Sequence, residues 1–405
     1  MNILFLTIGR MESIEERGIY PDLLRYFRDQ GDCIYAVSPY ERRTGRCTEL
    51  TEERGAKILH VSIGNITKCG LIEKGISTLR VESKFLAAIK KYFADIKFDL
   101  VLYSTPPITF ANVIRYIKKR DHAITYLLLK DIFPQNALDL GMLSGGGWKG
   151  LIYRYFRAKE KKLYALSDRI GCMSQANADY VLRHNPQLCA DKVEVCPNCI
   201  EVQDMRLTET ERADMRAKYG IPQDKTVFVY GGNLGKPQGI PAIIECLKTQ
   251  EKNGDCFFLI VGDGTEYGKL EAYVEQAKPD NVRLMKRLPK ADYDRLVAAC
   301  DVGLIFLDHR FTIPNFPSRL LAYMQAGLPV LACTDPNTDI GKVIVDGGFG
   351  WWCESNDTDK FKTVITEIRE AERKAMGDRA LTYLTEHYTA EIGCKIIQNA
   401  LTPTV

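Results

Sequence analysis

The sequence predicts an α/β protein made of two doubly wound parallel sheets. Three observations carry that expectation. Short apolar runs alternate with amphipathic stretches of helical period, the pattern of sheets covered by helices on both faces. The pattern runs once and then restarts near residue 226. The 405 residues exceed what one ordinary core holds, so two domains are expected.

In chain order, buried strands are expected at 3–7, 33–37, 100–103, 124–129 and 169–173, with helices at 20–30, 81–93, 110–120, 151–166 and 175–184. After the restart, strands are expected at 226–230, 257–261, 282–285, 302–306 and 329–332, with helices at 241–250, 269–277, 292–299 and 318–326. Cys196-Pro197-Asn198 interrupts any regular element, so the break is placed there. The expected organisation is a first domain 1–197, a second 198–385, and a C-terminal helix in 386–405 that packs back on the first domain.

Composition narrows the class. The chain is 45% hydrophobic and 26% charged, a globular profile, and no run approaches the ~18 apolar residues of a membrane span. The N-terminus lacks a basic leader and meets Glu12, Glu15 and Glu16 at once, so no signal peptide is expected. Thirteen cysteines are scattered; only Cys196 and Cys199 form a CxxC, and no partner pair stands at zinc spacing. Reduced thiols and a cytoplasmic location follow. The five histidines are isolated, and none is assigned to a metal. Net charge is +8 over residues 1–200 and −5 over the rest, so the first half suits a phosphate-bearing or membrane-surface partner, or simply carries solvated surface charge.

Ligands of open parallel sheets bind beyond the carboxyl ends of the strands, so the loops there should carry the chemistry. Residues 230–239 read Tyr-Gly-Gly-Asn-Leu-Gly-Lys-Pro-Gln-Gly between a strand and a helix. Glycines let backbone N–H groups approach a phosphate, and Lys236 adds charge. The loop is neither a GK[ST] phosphate loop nor GxGxxG, so dinucleotide binding is disfavoured. Gly262 opens Gly-Asp-Gly after the next strand, a ribose or phosphate contact or a plain tight turn. Phe316-Pro317-Ser318-Arg319 opens a helix, with Ser318 as its expected N-cap and Arg319 facing a diphosphate. In the first half, Lys130-Asp131 follows an apolar strand, where Asp131 would orient or deprotonate a hydroxyl and Lys130 would face a phosphate, unless the two are a solvent ion pair.

With these loops placed, the sequence resembles the GT-B glycosyltransferases, specifically the retaining family-four type of bacterial capsule, O-antigen and exopolysaccharide synthesis. Five segments carry the resemblance, over almost the whole chain. Residues 196–201 (CPNCIE) resemble the interdomain PNGVD. Residues 232–239 (GNLGKPQG) resemble the GN[IL]GKAQG donor-phosphate loop. Residues 326–330 (AGLPV) resemble AxGxPVV, and 131–134 (DIFP) resemble the D-[LI]-[WF]-P of the subgroup acting on lipid-linked sugars. Cys172-Met173-Ser174 matches the strand-to-helix VS of the acceptor domain. The chain also departs from the family. The two donor-binding glutamates fall on Pro314 and Ala322, the phosphate-loop Arg and Lys fall on Asn233 and Gln238, and the His before the acceptor-domain Asp is Lys130.

The resemblance implies two Rossmann-like domains facing a central cleft, and transfer of a hexosyl-type sugar, with retention, from a nucleotide-sugar, UDP-linked by preference. The acceptor would be a lipid-pyrophosphate-linked saccharide. Lys130, Asp131, Lys236 and Arg319 would serve catalysis. Gly232, Asn233, Gln238, Gly262, Arg287, Leu288, Phe316, Pro317 and Ser318 would hold the donor, with the base near Arg287 and Leu288. Arg10, Gly18, Tyr20 and Gln135 would hold the acceptor. No cofactor, metal or nucleic acid is expected. The basic aromatic stretch 153–159 would touch the cytoplasmic face of a membrane or be an ordinary exposed helix face. The missing glutamates keep open a non-catalytic GT-B partner subunit, and a sugar-nucleotide epimerase is the other alternative.

Overall fold

The computed structural model describes residues 1–67 and 69–401. The chain divides into two compact units, one of residues 1–201 and 390–405, the other of residues 202–389. Residues 402–405 of the expected C-terminal segment lie outside the described residues.

Among the described residues the first unit holds eight strands: β1 (Asn2–Leu6), β2 (Cys33–Glu41), β3 (Glu49–Glu53), β4 (Ala56–Ile63), β5 (Leu100–Ser104), β6 (Ile124–Leu129), β7 (Arg169–Cys172) and β8 (Val193–Val195). They form one sheet in the order β3-β4-β2-β1-β5-β6-β7-β8. All neighbours are parallel except the β3–β4 pair. A parallel sheet covered on both faces needs continuous apolar strands, and β5 (LVLYS) is buried at every position. One face packs Ile3 and Phe5 of β1 against Leu24 and Phe27 of helix Ile19–Asp29. Cys394 and Ile397 of helix Ala390–Leu401 join that same cluster.

The second unit holds β9 (Thr226–Asn233), β10 (Cys256–Asp263), β11 (Val282–Met285), β12 (Val302–Phe306), β13 (Val330–Thr334) and β14 (Gly350–Glu354). The sheet order is β11-β10-β9-β12-β13-β14, parallel throughout. Its first helix, Glu209–Lys218, starts on a capping box: the Thr208 hydroxyl accepts from the Glu211 N–H while the Glu211 carboxylate accepts from the Thr208 N–H. Phe228, Tyr230, Phe258, Phe306 and Phe361 lie in the unit's core.

Two differences from the sequence reading bear on the site. The helix expected at 81–93 begins at Leu71 and ends at Tyr92, and the one expected at 151–166 begins at Gly147. The helix expected to be capped by Ser318 runs Arg319–Gln325, and the Ser318 hydroxyl makes no cap hydrogen bond. Ser318 is itself in the right-handed helical region and not in the extended conformation that an N-cap residue adopts.

Candidate functional site

Each sheet has one point where the strand order reverses, and there the loops beyond the carboxyl ends open a crevice. In the second unit that point lies between β9 and β12. β9 ends in Gly231-Gly232-Asn233, and a 3-10 turn, Lys236–Gln238, leads into helix Ile240–Lys248. Gly232 has φ +126, a conformation that side chains other than glycine's rarely adopt.

Gln238 is buried, and its Oε1 accepts from Asn233 Nδ2 (3.2 Å) and Gly235 N (3.1 Å). It therefore shapes the loop from within. Asn233 and Lys236 are exposed on it. Gly262 lies beside Gly232 in the β9–β10 register, and a Cβ there would stand 2.1 Å from the Gly232 carbonyl. The bare glycine is thus required by strand packing.

Arg319 lies against this loop. Its guanidinium stands 4.3 Å from the Tyr230 ring centroid, a cation–π contact. A Cβ on Gly232 would be 3.6 Å from Arg319 Nη2, so the cation lies beside the loop at this glycine. Arg319 Nη1 is closed off from solvent and has no hydrogen-bond partner among the described residues. A buried charged donor without a partner is costly, and a guanidinium cannot shed its proton to escape the cost. Burial works against the charge while the Tyr230 and Tyr323 hydroxyls work for it, and the net direction of its pKa is upward. Tyr323 donates to the Leu304 carbonyl (3.0 Å) and accepts from Gly231 N (3.3 Å), tying helix Arg319–Gln325 to β12 and β9.

Two other expected donor residues lie at the edge of the sheet. Arg287 and Leu288 follow β11, the edge strand, two places from β9. Phe316 and Pro317 are half-buried in the segment before Arg319, where the Phe316 ring lies 6.4 Å from that of Tyr388.

In the first unit the order reverses between β1 and β5. Thr105, just after β5, is buried and latches the loop after β6: its Oγ1 accepts from Lys130 N (3.1 Å) and donates to the Asp131 carbonyl (3.1 Å). Both Asp131 oxygens accept from Asn136 Nδ2, at 2.8 and 2.9 Å. Burial pushes the Asp131 carboxyl up to about 6 against the pull of that amide. Lys130 does not pair with it. Its Nζ reaches the Cys196 carbonyl (3.4 Å), and burial lowers its pKa.

Of the expected acceptor residues, Tyr20 packs against Phe5 with ring centroids 5.0 Å apart, and burial pushes its hydroxyl up to about 12. Gly18 accepts from Asp22 N at the start of helix Ile19–Asp29. Arg10 is exposed and pairs with Glu12 at 2.5 Å. Gln135 Oε1 accepts from Tyr153 Oη (2.8 Å). Thr105, Asn136, Tyr230 and Tyr323 were not anticipated as positioning groups; each lies far in sequence from a residue it supports or on a helix with no motif, so no local signal marks it. Among the described residues no three His, Cys, Asp or Glu side chains gather as a metal site.

Two doubly wound parallel sheets in sequence, each with its loops at a reversal point, define the GT-B fold. Solved structures agree: HepE of Anabaena, in complex with UDP, superposes with a TM-score of 0.67 at 16% identity, covering 99% of each chain. The glycosyl transferases group 1 family model matches residues 211–381, which lie within the second unit. Two curated relatives are named as glycosyltransferases. The probable glycosyltransferase WbjE of Pseudomonas aeruginosa is 25% identical over 80% of this chain and 78% of its own length. The putative colanic acid biosynthesis glycosyl transferase WcaI of Escherichia coli is 24% identical over 60% of each.

Proposed function

We propose that this chain transfers a hexosyl group, with retention, from a UDP-sugar to a lipid-pyrophosphate-linked saccharide in the synthesis of a bacterial surface polysaccharide. The observation that carries the reading is Arg319, a cation whose Nη1 lacks a partner beneath a glycine-built loop. A pyrophosphate on that loop would supply the missing acceptor. The UDP complex of HepE supports the choice of donor, and the designation of WcaI supports polysaccharide synthesis.

In this reaction the bond from the anomeric carbon to the β-phosphate oxygen breaks, and the acceptor oxygen bonds to the same carbon. Charge grows on the leaving phosphate. Arg319, Lys236 and the loop N–H groups oppose it, preorganised before the bond breaks. Asp131 orients the acceptor hydroxyl and takes its proton; a carboxyl held near 6 suits a base working at neutral pH. The acceptor is met at the cytoplasmic face of a membrane. No described helix is long and apolar enough to cross one.

The test is a thermal-shift screen of UDP, GDP, dTDP and CDP, followed by transfer assays on the purified chain. A ligand at 100 times its Kd adds about 2.7 kcal/mol to apparent stability. UDP should raise the melting temperature most. No shift with any of the four would remove the donor reading and leave the non-catalytic partner subunit, a reading the Pro314 and Ala322 replacements keep in play.

A further inference from the structure

Helix Gly147–Leu166 has two unlike faces. Its inner face buries Gly150, Glu160, Leu163 and Tyr164. That face also holds the loop that carries Asp131: Tyr153 Oη donates to Gln135, and the Phe156 ring stands edge-on to Phe133 at 5.1 Å.

The outer face is unusual for a soluble surface. Of the seven large apolar side chains exposed among the described residues, four lie in residues 142–155. They are Met142 (46% exposed), Trp148 (69%), Leu151 (61%) and Tyr155 (46%). The last three recur at helical spacing and share one side, and Lys159 and Lys162 continue the same stripe. Lys149, Arg154 and Lys161 flank it. None of these five cations forms an ion pair among the described residues. Glu160 is the only acidic residue in 140–167, and it is buried, paired with Arg157 and accepting from Tyr164 Oη.

A row of Trp, Leu and Tyr edged by Lys and Arg that form no ion pair among the described residues, with Lys149 over the Trp148 ring and Lys159 over the Tyr155 ring, is the chemistry of a helix lying in a lipid interface. The rings and aliphatic groups enter the headgroup boundary, and the ammonium groups meet anionic lipid. Met142 and Leu151 decide between lipid and nucleic acid, since bases would use the rings and cations but gain nothing from exposed aliphatic groups.

We infer that the outer face of helix Gly147–Leu166 seats on the surface of an anionic bilayer and so presents the Asp131 loop to a membrane-anchored acceptor. The inference deepens the proposed function and rests on it only for the acceptor.

The full chain is mixed with vesicles of phosphatidylcholine, with and without about 30% phosphatidylglycerol, in the absence of donor and acceptor. Trp148 is the exposed one of three tryptophans, the other two being half-buried Trp351 and Trp352. Its emission should shift to the blue with anionic vesicles, and W148F should abolish the shift. The triple variant W148S/L151S/Y155S and, separately, K159E/K162E should each lower the sedimented fraction about tenfold. Melting temperature and the UDP shift serve as controls of folding. Sedimentation unchanged in both variants, or no binding to anionic vesicles at all, overturns the inference. So does a polyuridylate competitor that binds the chain more tightly than the vesicles do. A chain that binds UDP and not vesicles keeps its transferase reading and loses this one.

Discussion

In the second unit the carboxyl edge of the sheet leaves a cation short of partners; in the first, it holds an acid reluctant to ionise. Both edges are built alike, from loops at a strand-order reversal. Their chemistry differs because the neighbours differ. Around Arg319 stand aromatic rings and bare glycine backbone, which shield the charge without neutralising it. Around Asp131 stand Thr105 and Asn136, which fix its loop and carboxylate but supply no positive charge. On the proposed reading, one edge takes an anion and the other a proton.

Substitutions separate the two roles. Arg319→Ala should cost the most, about 10³-fold in kcat/KM, because it removes a charge aimed at the leaving group. Arg319→Lys should recover only part, since an ammonium lacks the planar fork. Asp131→Asn should lower kcat by roughly 10²-fold and leave UDP binding unchanged. In the unsubstituted chain, kcat/KM should fall as pH drops through about 6 and the carboxyl is protonated; the variant should lose that limb. A persistent limb near 6 would move the base elsewhere.

The same carboxyl affects stability with a definite sign. Its folded value lies above the ordinary 3.8, so the folded state holds the proton more tightly than the unfolded one. Its contribution is fully present below 3.8 and is lost as pH rises to about 6. Melting curves across that range should be flatter for Asp131→Asn.

Gly232→Ala should weaken UDP binding about tenfold and lower stability by ~1–2 kcal/mol, read by calorimetry and by denaturant titration, because φ +126 strains an alanine and the methyl faces the guanidinium. Lys236→Ala should cost least, about threefold in UDP affinity, since the side chain is exposed and acts through screened charge.

Much of this was legible in the residues. The apolar runs of β1, β5, β6, β9, β10 and β12 stand out because strands buried on both faces admit few polar side chains. β4 was missed because Lys57 and His60 interrupt its pattern, although His60 is buried and stacked on Tyr40. β14 was missed for a similar reason, its first three residues being only half-buried. The glycine loop and Arg319 were visible as a motif. The support beneath them was not, because Tyr230, Tyr293 and Tyr323 lie on three separate elements and meet only in the fold. Ser318 shows the opposite failure, a residue of the right type whose backbone denies it the cap.

Titration calorimetry of UDP into the wild-type chain and into Arg319→Ala, with melting curves to confirm that both are folded, is the most direct measurement. Binding by the wild type, weakened about 100-fold in the variant, is the expected result, as a charge-assisted contact to phosphate is lost. Equal affinity in the two chains would show that the buried guanidinium does not face the nucleotide, and the donor site would have to be sought elsewhere.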